Sequence, residues 1–404
     1  MLHRFQITSI GKQKALASFL LFNTFSWYYL GRLVITKAGD FVGNGSFETL
    51  ILEVSYPASI VFSAIVGSIL LSKVAKHRLV PCWIIAGTIA PFLLASASPS
   101  SPLGMFIGTV AVGASLGVGM PASLDYFKSS IPISSRGKTA GITLFAALLS
   151  VPLIYTAMSA SDLLMASLAL ASWRAWCVPL AFAIPKRRDF SLVEVRKSAT
   201  LGSVLRTRVF LLYFVAWSMF SLVDFRSVIG TSNTGQYGFL VKIVEPACAA
   251  VSTIIGGIVS DWIGRKKILI FGFVSLGVAY ATLGLFSNFP VTWVFYFIID
   301  GVALGFLWVL FMIVLWGDMA SNDSEKFYAL GETPFFLAGV LSALLAPYLA
   351  GIEQSSVFSL AAFFLFLAVL PLLLAPETLP EKNIKDRELK MYIADAKKME
   401  QKYP

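Results

Sequence analysis

The chain has 404 residues, of which 57% are hydrophobic and only 13% are charged, and its mean hydropathy is +0.78. That balance excludes an ordinary soluble domain and is typical of a protein that lies mostly within a lipid bilayer. The formal net charge of +10 would also suit a nucleic-acid-binding protein. The basic residues lie in short segments between apolar runs, however, so nucleic-acid binding is not expected.

Twelve apolar stretches are long enough to cross a bilayer, since about 20 helical residues span its roughly 30 Å hydrocarbon core. The first follows a basic N-terminus but is too long for a cleaved signal peptide, so it is predicted to remain as helix one. The spans are predicted near residues 14–36, 48–72, 79–97, 102–124, 138–158, 163–184, 209–230, 239–260, 267–287, 290–317, 327–350 and 356–375.

The lysines and arginines gather at both termini and in alternate loops between the spans. By the positive-inside rule, both termini are predicted to be cytoplasmic, and the expected location is the plasma membrane. The longest hydrophilic segment inside the chain separates six spans from six. We therefore predict an all-α membrane protein of two pseudo-symmetric six-helix bundles, 1–184 and 209–375, joined by a cytoplasmic loop, 185–208, and followed by a cytoplasmic tail, 376–404.

Polar side chains in the first two spans are candidates for a substrate pocket. Asn23 in helix one is predicted to line it, together with Trp27 on a neighbouring face. Arg32 and Glu53 lie near the outer ends of helices one and two, where long side chains often extend to the water interface. Glu53 is nevertheless kept as a candidate for proton coupling.

Helix four is rich in small residues and is followed by a patterned loop. The helix reads Gly-Ala-Ser-Leu-Gly-Val-Gly from Gly113 to Gly119, and the loop that starts at Tyr126 ends in Arg136-Gly137. Small residues at this spacing allow close helix packing, and a glycine-rich helix can bend. The segment resembles the Gly-x-x-x-Gly-x-Gly helix and the Tyr-x-x-Glu-x-x-Pro-x-x-x-Arg-Gly loop of the sugar-porter and metabolite–proton symporter branches of the Major Facilitator Superfamily.

Two positions in this segment depart from the family pattern. Thr109 stands where the family often carries an arginine that is linked to proton transport, and Ser129 stands where it carries a glutamate. The missing glutamate predicts that Asp125, one turn earlier, pairs with Arg136 instead.

Charged residues within the later spans are further candidates. A charge at the bilayer centre costs about 2.5–3.5 kcal/mol on insertion scales, so it faces a partner or an aqueous cavity. Arg174 lies mid-way along helix six, and Asp300 lies mid-way along helix ten with Trp308 near the same face. Asp224 lies in the outer half of helix seven, where Trp217 shares its face.

These candidates are grouped by expected role, and each has a structural alternative. Arg174 and Asp300 could instead form pairs between helices, Glu245 could pair with Lys242 three residues earlier, and the aromatic residues could pack. The predicted substrate-binding residues are Asn23, Trp27, Arg174, Trp217, Asp224, Asp300 and Trp308, and the predicted proton-coupling residues are Asp300, Asp224, Glu245 and Glu53.

The loop between helices eight and nine carries the most specific motif of the chain. It resembles the loop signature Gly-x-x-x-Asp-(Arg/Lys)-x-Gly-Arg-(Arg/Lys) of the Major Facilitator Superfamily, with Trp262 in place of the usual base. The resemblance implies that Asp261 and Arg265 latch the two bundles in the outward-open state, and Asp125 and Arg136 are predicted to be gating residues as well. The residues on the pattern are Gly257, Asp261, Gly264, Arg265 and Lys266.

The family resemblance also implies a function. The ending Pro376-Glu-Thr is similar to that of sugar porters, and the Gly-Pro element of drug–proton antiporters is missing from helix five. We therefore expect alternating-access transport of a small polar or charged metabolite (a sugar, organic acid or amino acid), coupled to protons as a symport. A proton-driven exporter is the alternative. The expected partners are the substrate, protons and the bilayer, and the chain is expected to be monomeric.

Enzymatic chemistry has little support in the sequence. The two histidines are far apart and the three cysteines are scattered singly, which gives neither a metal site nor a disulfide framework. No nucleotide-binding loop appears, so ATP-driven pumping is disfavoured and no cofactor is expected. A membrane-embedded sensor or enzyme is the alternative from a different class.

Overall fold

The fold was analysed in a computed structural model, in which the described residues are 2–43, 47–71, 74–97, 101–185, 199–223, 234–321, 323–349 and 353–382, together with 385, 389 and 393. Within these ranges the chain is helical. Ten helices among the described residues are long and apolar enough to cross a membrane. With the first helix and the shorter apolar helix Arg208–Val223, they occupy the positions of all twelve predicted spans.

The first half contains six of these helices. They are α1 (Leu2–Val42), α2 (Phe47–Leu70), α3 (Lys76–Ala95), α4 (Pro102–Ser130), α5 (Ile133–Ser159) and α6 (Leu163–Phe182). The second half contains α7 (Arg208–Val223), α8 (Tyr237–Ile263), α9 (Arg265–Phe286), α10 (Pro290–Met319), α11 (Ser324–Leu345) and α12 (Ser355–Leu374). The two halves form the twelve-helix fold of paired six-helix bundles that the sequence predicts.

The glycines of α4 do what their spacing predicts. A Cβ atom at Gly113 or Gly117 would collide with the backbone of α2, which packs along the whole of this helix. Because Gly113 and Gly117 have no side chains, the backbones of α4 and α2 can come into contact. The regular helix is interrupted between Gly117 and Met120, within this glycine-rich stretch.

The two bundles meet most closely where α5 packs against α8. A Cβ atom at Gly257 would collide with the carbonyl of Gly137, and one at Gly141 would collide with the carbonyl of Thr253. The Thr253 hydroxyl donates a hydrogen bond to the Gly141 carbonyl, at 3.0 Å across the interface. We call these four residues the glycine seam. The seam confirms that Gly257 allows close helix approach, and it shows that the approach joins the two bundles.

Candidate latch and central cavity

The loop signature places a carboxylate from the second bundle at the start of a helix of the first. The Asp261 Oδ1 and Oδ2 atoms accept hydrogen bonds from the backbone N–H groups of Gly137 and Lys138, at 2.9 and 2.8 Å. These groups lie in the first turn after Arg136, where helix N–H groups lack partners within the helix and the helix dipole is positive. Asp261 therefore caps the N-terminal turn of α5 across the bundle interface.

Arg265 ties this carboxylate to a second one. Its Nη1 atom lies 2.5 Å from Asp261 Oδ1, and its Nε atom lies 3.1 Å from Asp318 Oδ2 at the end of α10. Its Nη2 atom donates to the Ile133 carbonyl of the first bundle, at 3.1 Å. The Arg265 side chain is fully buried. Buried charges of this kind are tolerated because each has a counterion and hydrogen bonds.

Asp318 also binds Arg136, the residue that begins the continuous helix of α5. Arg136 donates further hydrogen bonds from Nη2 to the carbonyls of Lys128 and Ile131. We call the cluster of Asp261, Arg265, Asp318 and Arg136 the latch. Three of its members come from the second bundle and Arg136 comes from the first, so its bonds cross the interface.

The prediction that Asp125 pairs with Arg136 is wrong. The Arg136 guanidinium binds the Asp318 carboxylate at the end of α10 and the backbone carbonyls of Lys128 and Ile131, so it contacts the backbone of α4 but not the Asp125 carboxylate. Asp125 forms an ion pair with Lys76 at the start of α3 and accepts a hydrogen bond from the hydroxyl of Ser324 at the start of α11. Its hydrogen bond with Ser324 is a second polar contact between the bundles. The partners of Asp125 are thus a lysine and a serine, whereas Asp318 of the latch binds two arginines.

Asp318 is not among the residues predicted from the sequence, although a signal for it exists. It ends the fourth helix of the second half, the place that Asp125 occupies near the end of the fourth helix of the first half. In both halves this acid binds a base from the loop or helix start after the second helix, namely Lys76 and Arg265. A search for internal symmetry among the charged residues would have found it.

The tail segment that resembles the sugar-porter ending also has a structural role. Glu377 accepts hydrogen bonds from the backbone N–H groups of Arg265 and Lys266, at 2.9 and 3.1 Å. It therefore caps the N-terminus of α9. Gly264, which precedes this helix, has φ of 106°, a conformation that favours glycine, and a side chain there would collide with the Glu377 carboxylate.

At the opposite end from the latch, the two bundles enclose two adjoining cavities. The outer cavity, of about 290 Å³, is lined by Arg32, Thr36, Glu53 and Tyr56 among others. The inner cavity, of about 210 Å³, also contains Arg32. Both cavities combine residues of α1 with residues of α11. Arg32 and Glu53 therefore face the space between the bundles instead of extending to the outer interface.

Of the aromatic candidates, Trp308 lines the cavity and Trp217 packs in the core. Trp308 lines the inner cavity, where its ring centroid lies 6.2 Å from that of Tyr29. It directly precedes a π-helical turn at Val309–Val314 in α10. Trp217 is fully buried and stacks on Phe311, at 4.5 Å between ring centroids, and on Phe220. The structural alternative therefore applies to Trp217.

Arg174, Asn23 and Trp27 lie together, but inside the first bundle. The Arg174 Nη1 atom donates to Asn23 Oδ1 at 2.7 Å, and the guanidinium lies 4.1 Å from the Trp83 ring centroid and 5.4 Å from that of Trp27. All three predicted residues are fully buried, and none of them lines the two cavities described above. The arrangement is a cation–π cluster between α1, α3 and α6.

We expect Arg174→Ala to lower the stability of the protein rather than its affinity for substrate. Loss of a large buried side chain and of its stacking costs about 2–5 kcal/mol. Thermal unfolding in detergent should therefore show a lower apparent melting temperature, whereas Arg78→Ala, at an exposed position of α3, should not. An unchanged melting temperature with a weaker substrate affinity would instead place Arg174 in the binding site.

The remaining acids occupy different surroundings. Asp300 and Glu245 are both buried. At this level α10 packs closely on α8, since Gly301 lies so near the Glu245 carbonyl that a Cβ atom there would collide with it. Lys242 is exposed and no ion pair joins it to Glu245 among the described residues, so the expected pairing of these two is not observed. Asp224 lies outside the described residues.

Glu332 on α11 is a buried acid that the predicted roles omit. It is 2% exposed, and neither carboxylate oxygen has a hydrogen-bond partner among the described residues. It lies one helical turn from Tyr328 on one side and from Phe336 on the other. Phe336 contacts Tyr28, whose ring lines both cavities. Glu332 is therefore placed between the cavities and the latch.

Comparisons with known proteins agree with this architecture. The sequence of residues 209–399 matches the family model of the Major Facilitator Superfamily. The structure is similar to that of the proton:xylose symporter XylE bound to 6-bromo-6-deoxy-D-glucose, with a TM-score of 0.71 at 15% identity over 91% of this chain and 96% of that one. It is also similar to the human organic anion transporter MFSD10 (TETRAN), with a TM-score of 0.66 at 12% identity over 90% and 99% of the two chains. No curated protein matches the chain by sequence.

Proposed function

We propose that the chain is a secondary active transporter of the Major Facilitator Superfamily that imports a small polar or charged metabolite together with protons. One observation carries the proposal. The bundles are bonded together at the end that bears the basic loops, while a cavity shared by both bundles lies at the other end.

This arrangement corresponds to one state of an alternating-access cycle. If the basic loops face the cytoplasm, as the positive-inside rule predicts, the latch closes the cytoplasmic side and the structure is outward-facing. A substrate entering between α1 and α11 contacts both bundles, and rocking of the bundles then breaks the latch. The plasma membrane is the proposed location, with both termini in the cytoplasm.

The coupling and the direction of transport can be tested together in proteoliposomes. We expect an imposed inward proton gradient to drive accumulation of a metabolite, and a protonophore to abolish that accumulation. Counterflow without a gradient should persist, because exchange needs only the loaded carrier. Uptake that is insensitive to the gradient would contradict proton coupling, and extrusion driven by inward protons would show that the protein exports its substrate.

A further inference from the structure

We propose that the central cavity binds a zwitterion, with Arg32 recognising a carboxylate, Glu53 an ammonium group, and the inner cavity an aromatic or similarly flat apolar body. An aromatic α-amino acid has this chemistry. The inference rests on the proposed transport function and specifies the class of substrate.

Arg32 is placed to recognise the carboxylate. It lines both cavities, its side chain is exposed there, and no ion pair joins it to a described residue. A guanidinium presents its N–H groups in a planar fork that matches a carboxylate, which makes it better suited to this group than a lysine. At the junction of the cavities, Arg32 can bind a carboxylate whose attached body extends into either of them.

Glu53 supplies the opposite charge in the outer cavity. It also lines that cavity with an exposed side chain and has no ion pair among the described residues. Arg32 and Glu53 lie on α1 and α2 of the same bundle, yet they do not approach within the 4 Å of a salt bridge. A ligand with adjacent carboxylate and ammonium groups would neutralise both charges at once, whereas a simple anion would leave Glu53 unpaired beside it.

The inner cavity is suited to the body of the ligand. Its walls are largely aromatic, and its polar side-chain groups other than Arg32 are hydroxyls and the indole N–H of Trp308. The ring centroid of Trp308 lies 6.2 Å from that of Tyr29 and 6.4 Å from that of Phe335. An aromatic ring inserted into the cavity would therefore meet aromatic faces and edges on several sides. The aromatic lining residues are Tyr28, Tyr29, Phe220, Trp308 and Phe335.

The same lining disfavours a sugar, despite the sugar-porter resemblance of the sequence. A sugar presents many hydroxyls that both donate and accept hydrogen bonds, and amide side chains match them because they do the same. The described residues that line the two cavities include no asparagine or glutamine. Two fixed charges of opposite sign would also have to be desolvated without a charged ligand to compensate them.

The test measures binding of four probes to the purified full-length protein: L-phenylalanine, 3-phenylpropionate (which lacks the ammonium group), 2-phenylethylamine (which lacks the carboxylate), and D-xylose. We expect L-phenylalanine to bind at least about tenfold more tightly than the other three, since a hydrogen-bonded charge in a cavity has an effect of this size. Arg32→Gln should weaken binding of L-phenylalanine and of 3-phenylpropionate.

Glu53→Gln should remove the preference for L-phenylalanine over 3-phenylpropionate. Glu48→Gln, at an exposed position of α2 outside the cavities, and Arg78→Gln are the matched controls and should bind like the parent. Equal or tighter binding of 3-phenylpropionate to the parent would overturn the zwitterion assignment in favour of a simple anion. Tight binding of D-xylose that survives Arg32→Gln would overturn it in favour of a sugar.

Failure of this inference is distinguishable from failure of the proposed function. Gradient-driven accumulation of D-xylose without binding of L-phenylalanine would leave the transport function intact and reject the substrate class. Binding of L-phenylalanine without flux of it in either direction would support the site and reject transport of this ligand.

Discussion

Asp261→Asn and Arg265→Ala are each expected to lower transport by at least about tenfold while changing ligand affinity far less. Each substitution removes one charge from the buried latch and leaves the remaining charges with fewer ionic contacts, and loss of one member of a buried pair typically costs about 3–5 kcal/mol. In the proposed cycle the latch forms in only one state, so this cost would shift the equilibrium between states by a large factor. The cavity residues are untouched, and binding should be affected only through the population of the competent state.

Flux in proteoliposomes and equilibrium binding in detergent would be measured on the same preparations. Asp318→Asn should behave like Asp261→Asn, because Asp318 binds both arginines of the latch. The matched control is Glu381→Gln, which breaks an ion pair with Lys385 at the same i,i+4 spacing as Asp261–Arg265 but at exposed positions. Exposed ion pairs contribute little to stability, so the Glu381→Gln control should transport normally. Normal flux in both Asp261→Asn and Arg265→Ala would remove the latch from the mechanism.

Asp300→Asn is expected to abolish accumulation driven by a pH gradient while sparing counterflow. Asp300 is 1% exposed in the packing of α10 on α8, and proton binding to a buried carboxyl depends strongly on surroundings that change during the cycle. The variant should remain folded and inserted, since removing a buried charge need not destabilise a membrane protein. The measurement compares accumulation under an imposed gradient with exchange at equal pH.

Glu332→Gln is the companion variant, because Glu332 is another deeply buried acid and lies between the cavities and the latch. If Asp300→Asn accumulates substrate as the parent does, the prediction for Asp300 is wrong. Loss of accumulation in Glu332→Gln alone would then assign the proton site to α11. Glu325→Gln changes an acid on the same helix but nearer the latch end. It tests whether loss of accumulation depends on the position of the acid along α11.

The positions of the helices could be predicted because hydropathy is a local property of each stretch. The first span is the least apolar because Asn23, Arg32 and their neighbours interrupt it, yet its length suffices. The latch residues of the second half were also predictable, since Asp261 and Arg265 belong to one contiguous motif. Their partner Asp318 was not, because its contact depends on how the end of α10 packs against two other segments.

The candidate binding site was harder to predict for a related reason. Depth along a span can be read from the sequence, but the rotation of a helix about its axis depends on its neighbours. Arg174 is fully buried and faces the interior of its own bundle, whereas Arg32 faces the cavity. Only the packing of the helices distinguishes the surroundings of these two arginines.

The glycine seam has a consequence for the rate of the cycle. Fixing a long side chain costs up to about 2 kcal/mol of conformational entropy, and an interface built from such side chains has to order them at every closure. Gly137, Gly141 and Gly257 present backbone to backbone, so this part of the interface can separate and rejoin without a rotamer search. Rejoining of the bundles should therefore be fast at the seam, and the slower step of closure should be the ordering of Arg136 onto Asp318.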